Sequence, residues 1–283
     1  MRYDYILQRL VLALIVILGV TFVVFLIIQF VPGDPARISL GQQANEEAVE
    51  ARREQMGLNR PFLVQYVDWL AGAVRGDLGE SLITGQPVTP QVLDRIPITL
   101  QLAGFSILIG MVVAFPLGII AAVRQGSVVD LIATVISQIG VAVPDFWMGI
   151  LLVLLFSSQL GVLPPSGYTP ITEDFTDWLE HMILPATTAG LISASIQTRF
   201  IRSAMLEVLG QNYIRTARAK GLRELAVINQ HALRNALITI VTIVGLQLTA
   251  LLSAVVVIEI VFNMPGLGRL ALNAVLDRDY PTL

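Results

Sequence analysis

Five long apolar runs divide this chain: Leu10–Val31, Leu100–Val123, Leu131–Phe156, Ile183–Ile201 and Ala236–Ile258. Each approaches or exceeds the roughly 20 residues an α-helix needs to cross a hydrocarbon core. The fourth run is diluted by Ser193, Ser195, Gln197 and Thr198. Those side chains are expected to face a bundle interior or cavity rather than lipid. Between the first two runs lies a long mixed segment, 32–98. Within it, Glu46–Met56 reads as a helix stopped by Gly57, and Pro61–Val74 puts Phe62, Tyr66, Trp69 and Ala73 on one helical face. That stripe suits a helix lying at a membrane interface, and equally one packed on a neighbouring span. The pattern predicts an all-α polytopic membrane protein with five transmembrane helices. A short N-terminus (1–9) precedes the first span, a long loop follows it, and the core runs over 99–283.

A second polar stretch, 203–235, separates the last two runs and reads as two short helices around a glycine. Asn212 is the expected N-cap, Tyr213–Lys220 the first helix, and Gly221 its left-handed terminator. A second helix then starts near Arg223 and continues into the last run. Ala217, Ala219 and Gly221 keep the turn thin, so a partner protein can approach its backbone.

Composition sharpens this picture. The chain is 55% hydrophobic and only 14% charged, against about a quarter charged for a soluble domain. That excludes a soluble enzyme with a single anchor. With no cysteine, neither a disulfide framework nor a thiolate metal site is open to it. The only lysine, Lys220, is followed by Gly221, so no G-x-x-x-x-G-K-[ST] phosphate loop exists. Any ATP and Mg must bind elsewhere, and no cofactor is expected on this chain. The first run is too long for a signal-peptide core and no A-x-A site follows it, so an uncleaved first span is expected.

Charge placement sets the topology. Arg202, Arg215, Arg218, Lys220, Arg223 and Arg234 outnumber Glu207 and Glu224 between the last two runs. With Arg2, Arg9 and Arg124 they fall on one side if all five runs cross. The segment Ser157–Met182 carries Glu173, Asp174, Asp177 and Glu180 with no Lys or Arg. The N-terminus and the Arg-rich segment are therefore placed in the cytoplasm.

The same Arg-rich segment carries a family resemblance. Arg215-Thr216-Ala217-Arg218-Ala219-Lys220-Gly221-Leu222, followed by His231-Ala232-Leu233-Arg234-Asn235-Ala236-Leu237, resembles the cytoplasmic coupling loop of ABC-importer permeases. Gly221 and Leu233 fit its pattern, while Arg215 replaces the acidic start and Arg234 the closing proline. Those departures resemble the branch importing dipeptides, oligopeptides, glutathione or nickel chelates. Pro32-Gly33-Asp34-Pro35, Gln65-Tyr66, Trp69-Leu70, Gly76-Asp77-Leu78-Gly79, Pro87-Val88 and Asp277-Arg278-Asp279-Tyr280-Pro281 resemble that branch too. Members continue past the last motif into a sixth span, whereas this sequence stops at Leu283: either it is truncated or this member lacks a helix, and the retained linking motif favours truncation.

The resemblance implies a permease subunit in the bacterial inner membrane forming half of a translocation pore. It implies a second homologous permease, two ABC ATPase subunits, an extracytoplasmic substrate-binding protein and surrounding lipid as partners, with no nucleic acid. Tyr213, Arg215, Thr216, Ala217, Arg218, Ala219, Lys220, Gly221 and Leu222 would then couple to the ATPases, and Asn263–Arg269 would form an outer scoop near the pore mouth. The competing class is a secondary transporter or channel subunit, which favours inverted repeats and several intramembrane ionisable groups. No inverted repeat is visible in the sequence.

Candidate path residues are few. Asp145, beside Pro144, either lines the path or caps a helix restarted after the proline. Glu259 divides in the same way between a gate and an interfacial cap. Gln138, Gln197 and Gln247, with Gln101, suit a path wall or interhelical hydrogen bonds. His181 and His231 are expected on opposite sides of the membrane, so they form neither a metal site nor a hydrolase centre.

Overall fold

The computed structural model describes residues 2–30, 33–41 and 44–283. Val31, at the end of the first apolar run, and Pro32, in the P-G-D-P motif, lie outside the described residues. Among the described residues the chain is helical, with no strand and one isolated bridge, Glu80 to Pro87. It divides into two compact units, Met1–Leu93 with Leu270–Leu283, and Asp94–Arg269.

The first unit opens with α1 (Arg2–Phe30), α2 (Pro35–Leu40), α3 (Glu46–Gln55) and α4 (Phe62–Val74). Asp34 caps α2, accepting from the Ala36 N–H at 3.0 Å, and Asn45 caps α3 through Ala48 at 2.8 Å. The aromatic stripe of α4 packs on α1. Tyr66 is buried on α1, its hydroxyl 2.9 Å from Thr21 Oγ1 and donating to the Leu18 carbonyl at 3.1 Å. Phe22 and Phe25 meet Tyr66 with ring centroids 5.3 and 5.5 Å apart.

α5 (Val88–Val123) and α12 (Leu267–Asp277) each run through the boundary between the units. α5 starts ten residues before Ile98, where the sequence placed the end of the long loop. The second unit adds α6 (Val128–Ala142), α7 (Asp145–Leu152) with a π-helical continuation Val153–Gln159, α8 (Phe175–Leu209), α9 (Asn212–Ala219), α10 (Glu224–Ala226), a π-helical stretch Val227–Leu233 and α11 (Arg234–Val261).

Among the described residues, three helices are long and apolar enough to span a membrane: Asp4–Phe30, Val88–Val123 and Glu224–Val261. They cover the first, second and fifth apolar runs. The third run is not one straight helix. α6 and Asp145–Gln159 meet at a 103° bend. Pro144 has no N–H to extend the ladder, and Val143 before it is held extended (φ −80°, ψ 126°). The fourth run lies inside α8, whose 35 residues give it about 50 Å of length. Its polar residues lower the mean hydropathy of that run, and they face protein. Ser193, Gln197 and Thr198 are buried, and Ser195 is half-buried.

α8 is the centre of the second unit, with buried positions recurring along it from Trp178 to Met205. It meets α5 through small residues. Ser106, Gly110, Ala114, Gly118 and Ala122 recur every fourth position on α5. An added Cβ at Gly110 would lie 3.2 Å from the Gly190 carbonyl, and one at Gly118 2.8 Å from Ile201 Cβ. Backbones this close gain dispersion contacts that a larger side chain would prevent. One apolar cluster joins Leu102, Trp178, Met182, Val255, Phe262 and Met264 towards the end of α11. A second joins Ala114, Ile201, Met205, Ile214, Val227 and Ala236 around its start.

Among the described residues, five helices end the same way. α3, α4, α9, α11 and α12 each place a left-handed residue after the last turn, namely Gly57, Gly76, Gly221, Asn263 and Arg278. In each, the following N–H reaches back five residues to a helix carbonyl, as in Leu222 N–H to Ala217 O and Asp279 N–H to Ala274 O. These are Schellman endings, and glycine is the residue they favour.

Candidate functional site

The Arg-rich segment forms a small platform at the start of α11. In α9, Ile214 is fully buried and Ala217 is 7% exposed, and both join the second apolar cluster. They lie three residues apart, on one side of the helix. Burying Ile214 contributes about 2 kcal/mol to seating α9. Two sequence expectations change here. Ala217 faces the bundle, so the thin outer surface belongs to Ala219 and Gly221. Gln211, not Asn212, occupies the N-cap position, with no side-chain cap bond. Asn212 is the first helical residue and its carbonyl accepts from Thr216 Oγ1 at 3.1 Å.

Gly221 has φ +76°, and an added Cβ there would meet nothing within 4 Å. Its role is backbone geometry alone. Lys220 is the C-cap residue of α9, and Arg223 the N-cap residue of α10. Tyr213, Arg215, Thr216, Arg218, Ala219, Lys220, Gly221 and Leu222 are all exposed. Leu225, 74% exposed, adds an apolar tip. Arg218 is committed within the chain: its guanidinium donates to Glu224 at 2.6 and 3.1 Å, and that carboxylate raises the guanidinium above its usual value. Arg215, Lys220 and Arg223 have no carboxylate partner in the chain among the described residues. The platform therefore presents three uncompensated cations around exposed Tyr213, Leu222 and Leu225.

The platform is carried by α8, and sequence reading missed the brace behind it. Arg202, counted there only as a cytoplasmic charge, forks onto Asp130 at 2.6 and 2.8 Å. Asp130 also accepts from the Gly126 N–H at 2.9 Å. The Asp130 side chain is 8% exposed, so this bidentate pair ties the first turn of α6 to α8. Ser127 caps α6 through the Asp130 N–H, so the S-x-x-D spacing was a readable cap signal. Nothing in the sequence identified Arg202 as its partner.

The five path candidates do not form one site. Gln138 is exposed on α6, Gln247 half-buried on α11, and Asp145 half-buried as the first residue of α7. Pro144, not Asp145, holds the N-cap position there. Gln197 is 1% exposed and donates to Ser193 Oγ at 2.8 Å, leaving its carbonyl oxygen without a partner. Glu259 is wholly enclosed. It accepts from Thr99 Oγ1 at 2.6 Å and the Arg269 N–H at 3.1 Å, and Gly266 leaves room for its carboxylate. That is the geometry of a cap holding the Asn263–Arg269 turn, not of a group open to a path. Gln101 accepts from Trp178 Nε1 at 3.0 Å, which makes it an interhelical bond. Asp145, Gln138 and Gln247 retain accessible polar surface.

The histidines stay apart. His181 bonds the Asp177 carbonyl at 2.9 Å on α8, and His231 lies in the π-helical stretch before α11. No cluster of metal-ligating side chains occurs among the described residues.

Comparisons with known proteins agree on one family. Residues 114–283 match the model described as binding-protein-dependent transport system inner membrane component, and residues 2–103 match its N-terminal companion. A putative peptide transport system permease protein of Brucella suis is 41% identical, covering 98% of this chain and 88% of its own length. The oligopeptide transport system permease AppB of Bacillus subtilis is 38% identical over 99% and 89%. The glutathione transport system permease GsiC of Escherichia coli O6:H1 is 39% identical, also over 99% and 89%. Among solved structures, the MetNI methionine ABC transporter in inward-facing form matches with a TM-score of 0.54, at 18% identity over 66% of this chain and 81% of that one. That likeness extends to the fold. The chain belongs to the binding-protein-dependent transport system inner membrane components and is a multi-pass permease subunit of an ABC importer.

Proposed function

We propose that this permease imports peptides or a peptide-like solute such as glutathione, and that residues 213–225 dock an ABC ATPase. The carrying observation is the platform itself: a short helix seated by buried Ile214 and Ala217, ended by left-handed Gly221, presenting uncompensated cations and exposed Leu222 and Leu225. Such a surface fits an apolar groove with an acidic rim. ATP and Mg bind the ATPases, of which two serve one transporter. A second homologous permease completes the pore, and an extracytoplasmic binding protein delivers the solute.

The N-terminus and the platform lie in the cytoplasm. Closure of the ATPases on ATP draws the platforms of the two permeases together and reorients the half-pores between inward- and outward-facing states. Five spans cross the membrane in this reading, with the bent α6–α7 pair and the buried α8 as the third and fourth. Asp145, Gln138 and Gln247 line the path, where Asp145 can meet a peptide's amino terminus.

The test reverses the charge of Arg215 and Lys220 to Glu together. Uptake and ATPase co-purification should both fall, while insertion and permease pairing persist. Undiminished co-purification would reject the docking assignment.

A further inference from the structure

Three helices of the second unit pass from one of its apolar clusters to the other. On α5 the first cluster ends at Ile109 and the second begins at Val113. On α8 the change falls between Ala189 and Ala194. On α11, which meets the clusters in the opposite order, it falls between Val244 and Leu251. Among the described residues no side chain belongs to both clusters. What joins them is close backbone approach. An added Cβ at Gly110 would lie 3.4 Å from Ser193 Cβ and 3.5 Å from the Ala194 nitrogen, and one at Gly190 would lie 3.0 Å from the Ser106 carbonyl. Within the gap, α5 and α8 therefore bear on one another through small residues.

The bend between α6 and α7 lies at the same level. Before it, Gly140 stands against Ser195, where an added Cβ would come within 2.8 Å of the serine Cβ. After it, Gly149 stands against Thr188, 3.5 Å from Cγ2. Val143 and Pro144, between the two arms of the 103° bend, are thus level with the stretch of α8 from Thr188 to Ser195, which contains the gap. The hydroxyls of those two residues donate back to the Leu184 and Leu191 carbonyls at 2.8 and 2.9 Å, a back-bond that weakens the ladder and bends helices. On α11 the gap opens at Gly245, where a Cβ would meet nothing within 4 Å.

Interdigitated side chains resist being moved past one another, because movement opens voids that forfeit dispersion contacts. Each cluster is a packed body in this sense. The gap, crossed by small residues and by a chain already broken at Pro144, is where tilting disturbs the fewest side chains. The second cluster includes Ile214 and Ala217, which seat the platform, and the first includes Phe262 and Met264 at the start of the outer turn. A force on the platform is therefore carried by one packed body as far as the gap.

We infer that the level of Ala189–Ala194 is a hinge. The block that carries the platform tilts there against the block that carries the Asn263–Arg269 turn, with the Gly110–Gly190 contact as fulcrum. The α6–α7 bend opens or closes with the tilt and changes the separation of Gln138 from Asp145, which lie on either side of it. The inference rests on the importer reading for the force on the platform. It goes beyond that reading, which a half-pore turning as one rigid piece would satisfy equally.

The chain has no cysteine, so spin labels can be placed at exposed Gln125, Ser158, Glu180 and Glu207. Gln125→Cys with Glu207→Cys reports on the platform block, and Ser158→Cys with Glu180→Cys on the other. Ser158→Cys with either Gln125→Cys or Glu207→Cys spans the hinge. Distances are measured by double electron–electron resonance on the assembled transporter in nanodiscs, without nucleotide and after trapping with ATP and vanadate. Both spanning distances should shift between the two conditions, while the two distances within a block stay fixed. Spanning distances that stay fixed although vanadate arrests hydrolysis would show one rigid piece and overturn the hinge, leaving the importer reading intact. Distances within a block that shift as much as the spanning ones would overturn it too. An assembled complex that hydrolyses no ATP would overturn both the hinge and the importer reading.

Discussion

Replacing Gly221 tests whether the platform works through its backbone. At φ +76°, an added Cβ would touch nothing within 4 Å, so packing contributes nothing to the cost of substitution. What remains is the left-handed penalty, about 1–2 kcal/mol for an L-residue. It is smaller for Asn, whose side chain tolerates this region, and larger for a β-branched residue. Each 1.4 kcal/mol is about a tenfold shift in population. Gly221→Ala should therefore cut the fraction of chains holding the native turn relative to its competitors by roughly 5- to 30-fold. Gly221→Val should fall further, while Gly221→Asn stays nearest to wild type. The measurement is solute uptake together with ATPase co-purification from the same membranes. The informative comparison is Asn against Ala. If Gly221 mattered because a partner presses on the turn, the bulkier Asn would be the worse of the two. Asn no better than Ala would refute the backbone argument, and wild-type uptake by Gly221→Val would sink the docking assignment altogether.

Three further predictions follow from the geometry. Asp130→Asn and Arg202→Gln should each lower stability in detergent by about 2 kcal/mol, below the 3–5 of a fully buried pair because Arg202 is partly exposed. The double variant should lose less than the sum of the two, and strict additivity in thermal unfolding would reject the brace. Gly190→Ala should destabilise by about 1–3 kcal/mol, since its Cβ would lie 2.9 Å from Ile109 Cβ and 3.0 Å from the Ser106 carbonyl. Gly104→Ala on α5, with open space at its Cβ, should be neutral or stabilising, and matching losses at both sites would contradict the close approach of α5 and α8. In this cysteine-free chain, Gln211→Cys should react only with membrane-permeant thiol reagents in intact cells and Thr172→Cys with impermeant ones as well. The reverse pattern would invert the topology argued from the Arg-rich segment.

What the sequence made legible is what local chemistry decides. Gly57 and Gly221 announced helix ends because a left-handed residue after the last turn needs no tertiary partner. Pro144 announced a break for the same kind of reason, although its 103° size was not readable from the missing N–H alone. The dilution of the fourth run by Ser193, Gln197 and Thr198 correctly pointed inward. Long-range pairings were not legible. Asp130 is one of many acids until Arg202, 72 residues later, lies against it. Arg218 read as a cation offered outward until Glu224 was seen to hold it. Glu259 read equally as gate or cap, because only the fold brings Thr99 and the Arg269 N–H to its carboxylate.

A deeper reason concerns what apolarity means in such a chain. In a soluble helix the Leu and Ile stripe marks the core. Here α6 exposes Leu131, Ile132, Val135, Ile136 and Ile139 while burying Asp130, Ala133 and Ser137. Where a span's face meets hydrocarbon, burying a leucine gains little, and helices gain instead from close backbone approach and satisfied polar groups. The apolar runs that located the spans therefore cannot say which face meets protein. The small residues can: Ser106, Gly110, Ala114, Gly118 and Ala122 on α5 lie at the spacing of one helix face, and their glycines meet α8. The same logic separates the two ends of the Arg-rich segment. In α9, Ile214 and Ala217 are buried while Arg215, Thr216 and Arg218 are exposed, which is the pattern of a soluble amphipathic helix. Leu222 and Leu225 break that pattern by staying exposed among cations. An exposed leucine is unremarkable in lipid; beside Arg215, Lys220 and Arg223, exposed Leu222 and Leu225 are the side chains that the proposed ATPase docking would cover.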